Sequence, residues 1–333
     1  MRLLRASFSV LFSALCLVPS VATASCGAEG CPLVREGLGA APSRLAFDLR
    51  YQDVTQDKLW NGTSQATLAD VIADARTHGE VELFTQTRSW VGEARAQITD
   101  RLRVTATLPY MNREHRHWLH HTPAYDPRFL DTWKFQGLAD ATVLAHFKVM
   151  MTQGGTMLSL DGGAKLPTGR THVPEETQTK FGFPSTLEPS ARPGTGSTDW
   201  VAGGLASQRL PWKNALPLSC SVLMRWTGKG TDDFKVGNEL QAGFSGGYSP
   251  MDKLTLLAQV NYSDHASDVS ADATETAHTG MKSLYLTPGV TLRVSSAVSI
   301  YGLYQLRAWG KSDEASVVAT NHFLFGTTYS IGH

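Results

Sequence analysis

Four histidines lie within seven positions of the stretch NREHRHWLHH, residues 112–121. A neutral imidazole is a good ligand for copper, zinc or nickel, so His115, His117, His120 and His121 offer enough donors for a metal site. On an extended chain only His115 and His117 share a face.

The same stretch also fits a solvated polar loop with Trp118 at an interface, because Arg113 and Arg116 would oppose a bound cation. The sequence leaves both interpretations open. It predicts no cofactor other than a copper, zinc or nickel ion at these histidines.

A hydrolase is a third hypothesis, since Ser263, Asp264 and His265 are adjacent and His278 follows in the same predicted loop. Serine hydrolases use these residue types together. Adjacent residues on a strand or loop point in different directions, however, and the chain has no G-x-S-x-G nucleophile elbow. We therefore expect no catalytic residues and no enzyme.

The N-terminus predicts export. Arg2 and Arg5 precede an apolar stretch, and Ala22-Thr23-Ala24 is a small-x-small cleavage site, so residues 1–24 read as a signal peptide. Its apolar core is too short to cross a bilayer as a helix.

Residues 25–42 would then form a periplasmic N-terminal segment. Cys26 and Cys31 lie close together there, and an oxidising compartment would allow them to pair. The formal net charge of the whole chain is zero, and removing Arg2 and Arg5 leaves it near −2. Without a basic patch, nucleic acid is excluded as a partner.

Beyond residue 42 the apolar residues alternate with period two, which is typical of strands with two chemically different faces. In 102–110, for example, Leu, Val, Ala, Leu and Tyr alternate with Arg and Thr. The pattern predicts twelve strands, at about 43–52, 87–98, 102–111, 138–149, 156–167, 197–209, 215–226, 237–248, 253–263, 283–294, 298–309 and 321–333.

The predicted connections alternate strictly between short and long. A soluble sandwich would also show alternating strands, but short periplasmic turns opposite long outward loops are typical of an outer-membrane barrel. Hydrocarbon cannot satisfy backbone polar groups, so a sheet crosses a membrane only when it closes on itself. The sequence thus predicts an all-β fold, a closed antiparallel transmembrane β-barrel over 43–333, with the histidines in the second outward loop.

Aromatic residues are predicted at the long-loop ends of strands, where a membrane interface favours them. This predicted girdle comprises Tyr51, Trp90, Tyr110, Trp226 and Tyr262.

The stretches AKLPTGRT (164–171) and LEPSARPGTGSTD (187–199) resemble the outer-membrane barrel family of transporters that includes the putative MetA-pathway of phenol degradation proteins. The resemblance implies a barrel and a transport function, and it brings no catalytic residues. The residues alone favour a geometric role for these motifs, in which Pro and Gly permit reversals at the barrel rim. The alternative is a loop that folds inward and lines or gates the lumen.

The predicted inner faces are rich in charges of both signs. These lumen-lining candidates are Asp48, Arg50, Glu93, Arg95, Arg103, Asp140, His146, Lys148, Asp161, Lys165, Asp199, Arg225, Glu239, Arg293 and Arg307. Such a lumen would either select solutes by charge or be crossed by ion pairs. Both are compatible with twelve strands, because barrels of about eight strands are filled by side chains and those of about 16–18 leave a wide channel.

The sequence therefore favours a passive or facilitated channel for a small solute. The alternative is a structural barrel that does not transport and that binds a ligand or metal through its outward loops. In either case the partners would be the lipid bilayer of the outer membrane, the barrel-insertion machinery and a small solute.

Overall fold

A computed structural model describes residues 43–70, 80–119, 130–173, 177–180, 183–187, 189–211, 218–269 and 279–332. The predicted signal peptide, the segment 25–42 with Cys26 and Cys31, and His120 and His121 lie outside the described residues. Among the described residues, no helix is long and apolar enough to cross a membrane.

Strands account for almost all of the regular structure in these ranges. They are β1 (Leu45–Gly62), β2 (Ser64–Gln65), β3 (Glu80–Gln97), β4 (Leu102–Leu119), β5 (Leu130–Leu138), β6 (Ala141–Met151), β7 (Thr156–Leu166), β8 (Thr177–Lys180), β9 (Phe183–Thr186), β10 (Asp199–Gln208), β11 (Leu218–Trp226), β12 (Glu239–Met251), β13 (Leu254–His265), β14 (Met281–Arg293) and β15 (Val298–Ile331). Short 3-10 turns occur at Pro189–Ala191 and Thr231–Asp233.

The wall is a closed antiparallel barrel. Neighbouring strands pair in sequence order, and β15 returns to pair with β1 from Leu45 opposite Ile331. Two details give twelve wall segments. Strand β5 pairs with residues 110–118 of β4, and β6 pairs with residues 102–107, so β5 and β6 together form one wall segment. Strand β15 contributes two, because 299–312 pairs with β14 and 312–331 pairs with β1. The predicted twelve-stranded closed barrel is confirmed, and closure leaves the wall without an unpaired edge.

The outer surface carries a broad apolar belt, which is what hydrocarbon requires of a spanning barrel. Large apolar side chains alternate outward along every wall segment, for example Phe47, Leu49, Phe147, Leu160 and Trp200, each between 46% and 66% exposed.

An aromatic cluster lies at the outward end of this belt. The Tyr51 ring is 5.2 Å from that of Trp90 and 5.3 Å from that of Phe325. Trp90 lies opposite Tyr110 on β4, so these rings mark one level around the wall. Beyond Tyr110 the outer face of β4 becomes polar, and we take this level as the outward membrane boundary.

Several strands run well past the predicted ends, which is the main difference from the sequence-based expectation. Strand β1 continues to Gly62 and β4 to Leu119, and β3 already begins at Glu80. Likewise, β15 passes through the predicted loop at 310–320. Outside the bilayer the outer face of a strand no longer has to be apolar, so the period-two pattern disappears while backbone pairing continues. The histidine segment is therefore partly strand rather than loop.

The barrel interior is not uniformly polar. Leu257, Tyr301, Leu303 and Leu324 form a buried apolar cluster on the inner wall, and Val54, Tyr285 and Ala319 form another. These side chains fill part of the lumen, as expected of a barrel of intermediate size.

Candidate functional site

Charged residues line the inner wall at several levels, mostly in pairs that neighbouring strands bring together. One group lies near the rim at which β1 begins and β15 ends. There the Arg50 guanidinium lies 3.5 Å from Asp48 and 3.5 Å from Glu93. The Arg95 Nε lies 3.4 Å from Glu93. Four of the predicted lumen residues thus form one network across β1 and β3.

Asp48 also bridges the seam where the barrel closes. Its carboxylate accepts hydrogen bonds from the Tyr301 hydroxyl at 2.9 Å and from the Thr328 hydroxyl at 2.7 Å, both on β15. Because Asp48 is on β1, the Thr328 bond joins the first and last wall segments, and the Tyr301 bond reaches the segment before the last.

Two further pairs lie elsewhere on the inner wall. The His146 Nδ1 is 2.8 Å from Asp161, directly opposite in the β6–β7 register. Arg225 is 2.9 Å from Glu239 across β11 and β12. The side chains of His146 and Arg95 remain 24% and 21% exposed, so solvent reaches these positions.

Four other candidates lie elsewhere on the wall. Arg103 Nε donates to the Gln97 side chain, and Lys148 Nζ lies 3.4 Å from the Asp100 carbonyl. Arg307 stacks over the Trp60 ring, and Arg293 is exposed.

Lys165 is the centre of a cluster whose charged side chains are all buried. Its Nζ donates to the Asp140 carboxylate and to the Thr195 hydroxyl, each at 2.6 Å. It also lies 3.3 Å from the Asp199 carboxylate and donates to the Ser197 carbonyl at 3.3 Å. The side chains of Lys165, Asp140 and Asp199 are each only 2% exposed. We call Lys165, Asp140, Thr195, Ser197 and Asp199 the loop clamp.

The loop clamp joins the two ends of the connection between β7 and β10. Asp140 accepts from the backbone N–H groups of Gly169 at 2.9 Å and Thr195 at 3.1 Å, one at each end of this connection. Gly194 N–H donates to the Arg170 carbonyl at 2.9 Å. The K-x-P-T-G and P-G-T-G-S-x-D motifs therefore meet in one cluster.

Gly169 and Gly194 allow the two ends to touch. A β-carbon on Gly169 would lie 2.7 Å from Gly194 Cα and 2.8 Å from the Asp140 nitrogen, closer than any side chain tolerates. The sequence predicts that these glycines permit chain reversals at the rim, and the structure adds that they permit close backbone approach.

Parts of the same connection lie against the inner wall. Arg113, on the inner face of β4, donates to the Ala191 carbonyl and to the Thr87 hydroxyl. Trp133 and Phe135 of β5 pack with Val173, Leu187 and Ala191 in a buried apolar cluster. This arrangement fills lumen space at the outward end of the barrel.

His115 and His117 face the lumen close to this cluster, and each is 3% exposed. Their Nε2 atoms are 2.5 Å apart. They were expected on a solvated rim, but pairing of β4 with β3 and β5 buries them. His115 lies five residues past Tyr110, about 16 Å at roughly 3.3 Å per residue, and so outside the bilayer. Burial, together with His117 and Arg113 nearby, holds the pKa of His115 well below its usual value.

Glu82 completes this group, and the sequence pattern does not predict its participation. One ligand atom from each of Glu82, His115 and His117 can be chosen so that all three lie within 4.8 Å of one another. Glu82 lies in a predicted loop more than 30 positions before the histidines. Its position beside His117 follows from the β3–β4 register, which the sequence pattern does not reveal.

The residues of the hydrolase hypothesis have ordinary structural contacts. The Asp264 carboxylate accepts from the Tyr262 hydroxyl at 3.0 Å and from Lys282 at 3.1 Å. His265 Nδ1 lies 3.2 Å from the Ala266 carbonyl. His278 lies outside the described residues.

Comparison with solved structures identifies the same architecture. The crystal structure of the COG4313 outer membrane channel from Pseudomonas putida F1 matches with a TM-score of 0.63 and 11% identity, over 90% of this chain and 99% of that chain. The beta domain of the Bordetella autotransporter BrkA gives a TM-score of 0.47 at 10% identity, over 87% of this chain and 100% of that chain. A Pseudomonas aeruginosa FadL homologue gives a TM-score of 0.42 at 10% identity, over 93% of this chain and 99% of that chain.

No protein-family model matches the chain, and no curated protein matches it in sequence. At 11% identity the match to the Pseudomonas putida channel shows the fold alone. The chain has the architecture of a multi-pass outer-membrane β-barrel, with the lipid bilayer as its surroundings. The phenol-degradation name suggested by its motifs stays a prediction.

Proposed function

We propose that the protein is a passive channel for a small polar solute in the outer membrane, narrowed at its outward end by the connection between β7 and β10. The observation that carries the proposal is the partial exposure of His146, Arg95 and Arg225 on the inner face of a closed wall. A side chain on the inner face of a closed wall can be exposed to solvent only if water enters the lumen or its two openings.

The charge pattern supports a polar solute rather than an apolar one. Ion pairs between arginine and acidic side chains occur at separate positions of the wall, so a passing solute meets neighbouring positive and negative groups. Desolvating these groups against an apolar molecule would be unfavourable. The structural match to a protein described as an outer membrane channel supports the same proposal.

The narrowing rests on the loop clamp and on the Trp133 cluster. The clamp holds both ends of residues 167–198 at the wall, while Ala191 and Leu187 pack against β4 and β5 inside. We expect the loop to limit the passage to small molecules.

Single-channel recording in planar bilayers tests this function. We expect small, discrete conductance steps from the purified folded barrel. In a variant whose residues 172–192 are replaced by a short Gly-Ser linker, the steps should grow, because the clamp and the Gly194–Arg170 backbone bond remain while the inward segment is removed. Heat-modifiable migration on SDS-PAGE would establish that both proteins are folded.

The two proteins together separate the candidate functions. If the folded wild type gives no steps, passive transport is refuted. If steps then appear only in the shortened variant, the native barrel is closed and the non-transporting alternative holds. Equal steps in both proteins would refute the role of the loop.

A further inference from the structure

Two imidazoles of β4 converge on one point of the inner wall. His115 and His117 share a face, their ring centroids are 4.2 Å apart, and the rings are inclined at 66°. The distance of 2.5 Å joins the two Nε2 atoms, so both rings direct the same type of nitrogen at the same space.

The other nitrogen of His115 has its own partner. The Thr85 hydroxyl lies 2.6 Å from His115 Nδ1 and donates to the Glu82 carboxylate at 2.7 Å. Since the hydroxyl proton goes to Glu82, the Thr85 oxygen accepts the proton of His115 Nδ1. This assigns the tautomer in which His115 Nε2 carries a lone pair, which accepts a hydrogen bond from His117 Nε2. A nitrogen with a free lone pair is the form of imidazole that binds metals.

Carboxylates flank His117 on both sides. Glu82 of β3 and Asp131 of β5 are its direct cross-strand neighbours, and Asp131 is 0% exposed. Directly opposite residues on neighbouring strands have side chains on the same face and β-carbons about 4.5–5.5 Å apart. Two acidic groups therefore stand beside the imidazole pair on the inner wall.

The nearby arginines, which would oppose a cation, are engaged with other groups. Arg116 pairs with Glu114 on the opposite face of β4. Arg113 donates to Thr87 and to the Ala191 carbonyl. The ring of Trp133, opposite His115 in the register, closes the site with centroids 6.0 Å and 5.4 Å from those of His115 and His117.

We propose that His115, His117 and Glu82 form a binding site for a borderline divalent transition-metal ion, such as zinc or copper(II), at the outward end of the lumen. Two imidazoles and a carboxylate are a donor set that zinc uses with a further position open to water. Magnesium and calcium prefer all-oxygen sets and are not expected to bind here.

Metal binding requires a small rearrangement of the rings. Each Nε2 would lie about 2.0–2.1 Å from a bound zinc, which places the two nitrogens roughly 3 Å apart in a tetrahedral site. The rings would separate slightly, the proton of the hydrogen bond between the two Nε2 atoms would move to His117 Nδ1, and Glu82 would turn from Thr85 toward the ion. The proposal does not depend on transport, because a closed barrel would offer the same donors.

Calorimetric titration of the folded, tag-free mature barrel with zinc chloride tests the site. We expect about one zinc per barrel in the wild type and no binding heat in a His115→Ala/His117→Ala variant. Glu82→Gln should lower the affinity by about 10-fold or more. The control is His172→Ala, which removes an exposed histidine outside the site and should bind as the wild type does.

A His120→Ala/His121→Ala variant distinguishes this pair from the rest of the histidine stretch. Binding that survives in this variant and is lost in the His115/His117 variant supports the proposal. Equal heats in the wild type and in the His115/His117 variant, or no heat in the wild type, would overturn it. Heat-modifiable migration of each variant excludes loss of binding through misfolding. Copper(II) gives an independent readout, since its EPR spectrum should show coupling to two imidazole nitrogens in the wild type only.

Discussion

Replacing Lys165 by methionine should strongly destabilise the barrel. Methionine keeps the length of the side chain but removes the one positive charge that lies between Asp140 and Asp199. Both carboxylates are 2% exposed, so solvent cannot replace the lost ammonium group. Breaking a buried ion pair by removing one partner typically costs about 3–5 kcal/mol. Because one lysine serves two carboxylates and donates to Thr195 as well, we expect a loss in the upper half of that range.

Equilibrium unfolding in urea measures this loss. The titration is made in detergent micelles and followed by tryptophan fluorescence, which reports on Trp133 packed beneath the loop. The matched control is Asp140→Asn/Lys165→Met/Asp199→Asn, which keeps the side-chain sizes and leaves no buried charge. We expect this triple variant to recover most of the lost free energy of unfolding, since neutral replacements of buried charges are often tolerated.

Two results would refute the reasoning. A loss below about 1 kcal/mol in Lys165→Met would mean that the two carboxylates need no positive partner, as for an exposed ion pair. A triple variant no more stable than Lys165→Met would assign the loss to packing rather than to charge. Either result would also remove the electrostatic basis for a fixed loop.

Two further predictions concern backbone approach and the closing seam, both measured as the free energy of unfolding in urea. Gly169→Ala should lose about 1–3 kcal/mol, because its β-carbon would overlap the Gly194 backbone, whereas Gly162→Ala, with open space at that position, should lose none. Tyr301→Phe removes a hydroxyl that donates to the buried Asp48 carboxylate and should lose about 1.5–3 kcal/mol. Its control, Tyr304→Phe on the exposed outer face, should lose less, and equal losses would show that the seam bond is unimportant.

The number of strands and the residues on their inner faces could be predicted because the hydrocarbon of the bilayer requires apolar residues on the outer face of every strand. Only alternate residues meet hydrocarbon, so Leu102 to Tyr110 shows its two faces directly in the sequence. The extensions beyond the bilayer could not be predicted, since apolar and polar residues no longer alternate regularly along 53–62 and 112–119. For that reason His115 and His117 were placed on a solvated rim although they are buried.

The candidate site was predicted only in part. The sequence predicts that His115 and His117 share a face and that Asp140, Lys165 and Asp199 point into the lumen. It did not show that one lysine would serve both carboxylates, because Asp140 and Asp199 are 59 positions apart and meet only when β6, β7 and β10 pair.

By itself, the sequence determined the closed twelve-stranded barrel, because period-two hydropathy and alternating short and long connections admit few other solutions in a bilayer. Only the tertiary structure decided what the histidines and the two glycine motifs do. Strand register, which is set over the whole wall, places Glu82 and Asp131 on either side of His117. Pairing across the barrel likewise turns two separate motifs into one clamp around Lys165, and no local pattern encodes contacts between such distant residues.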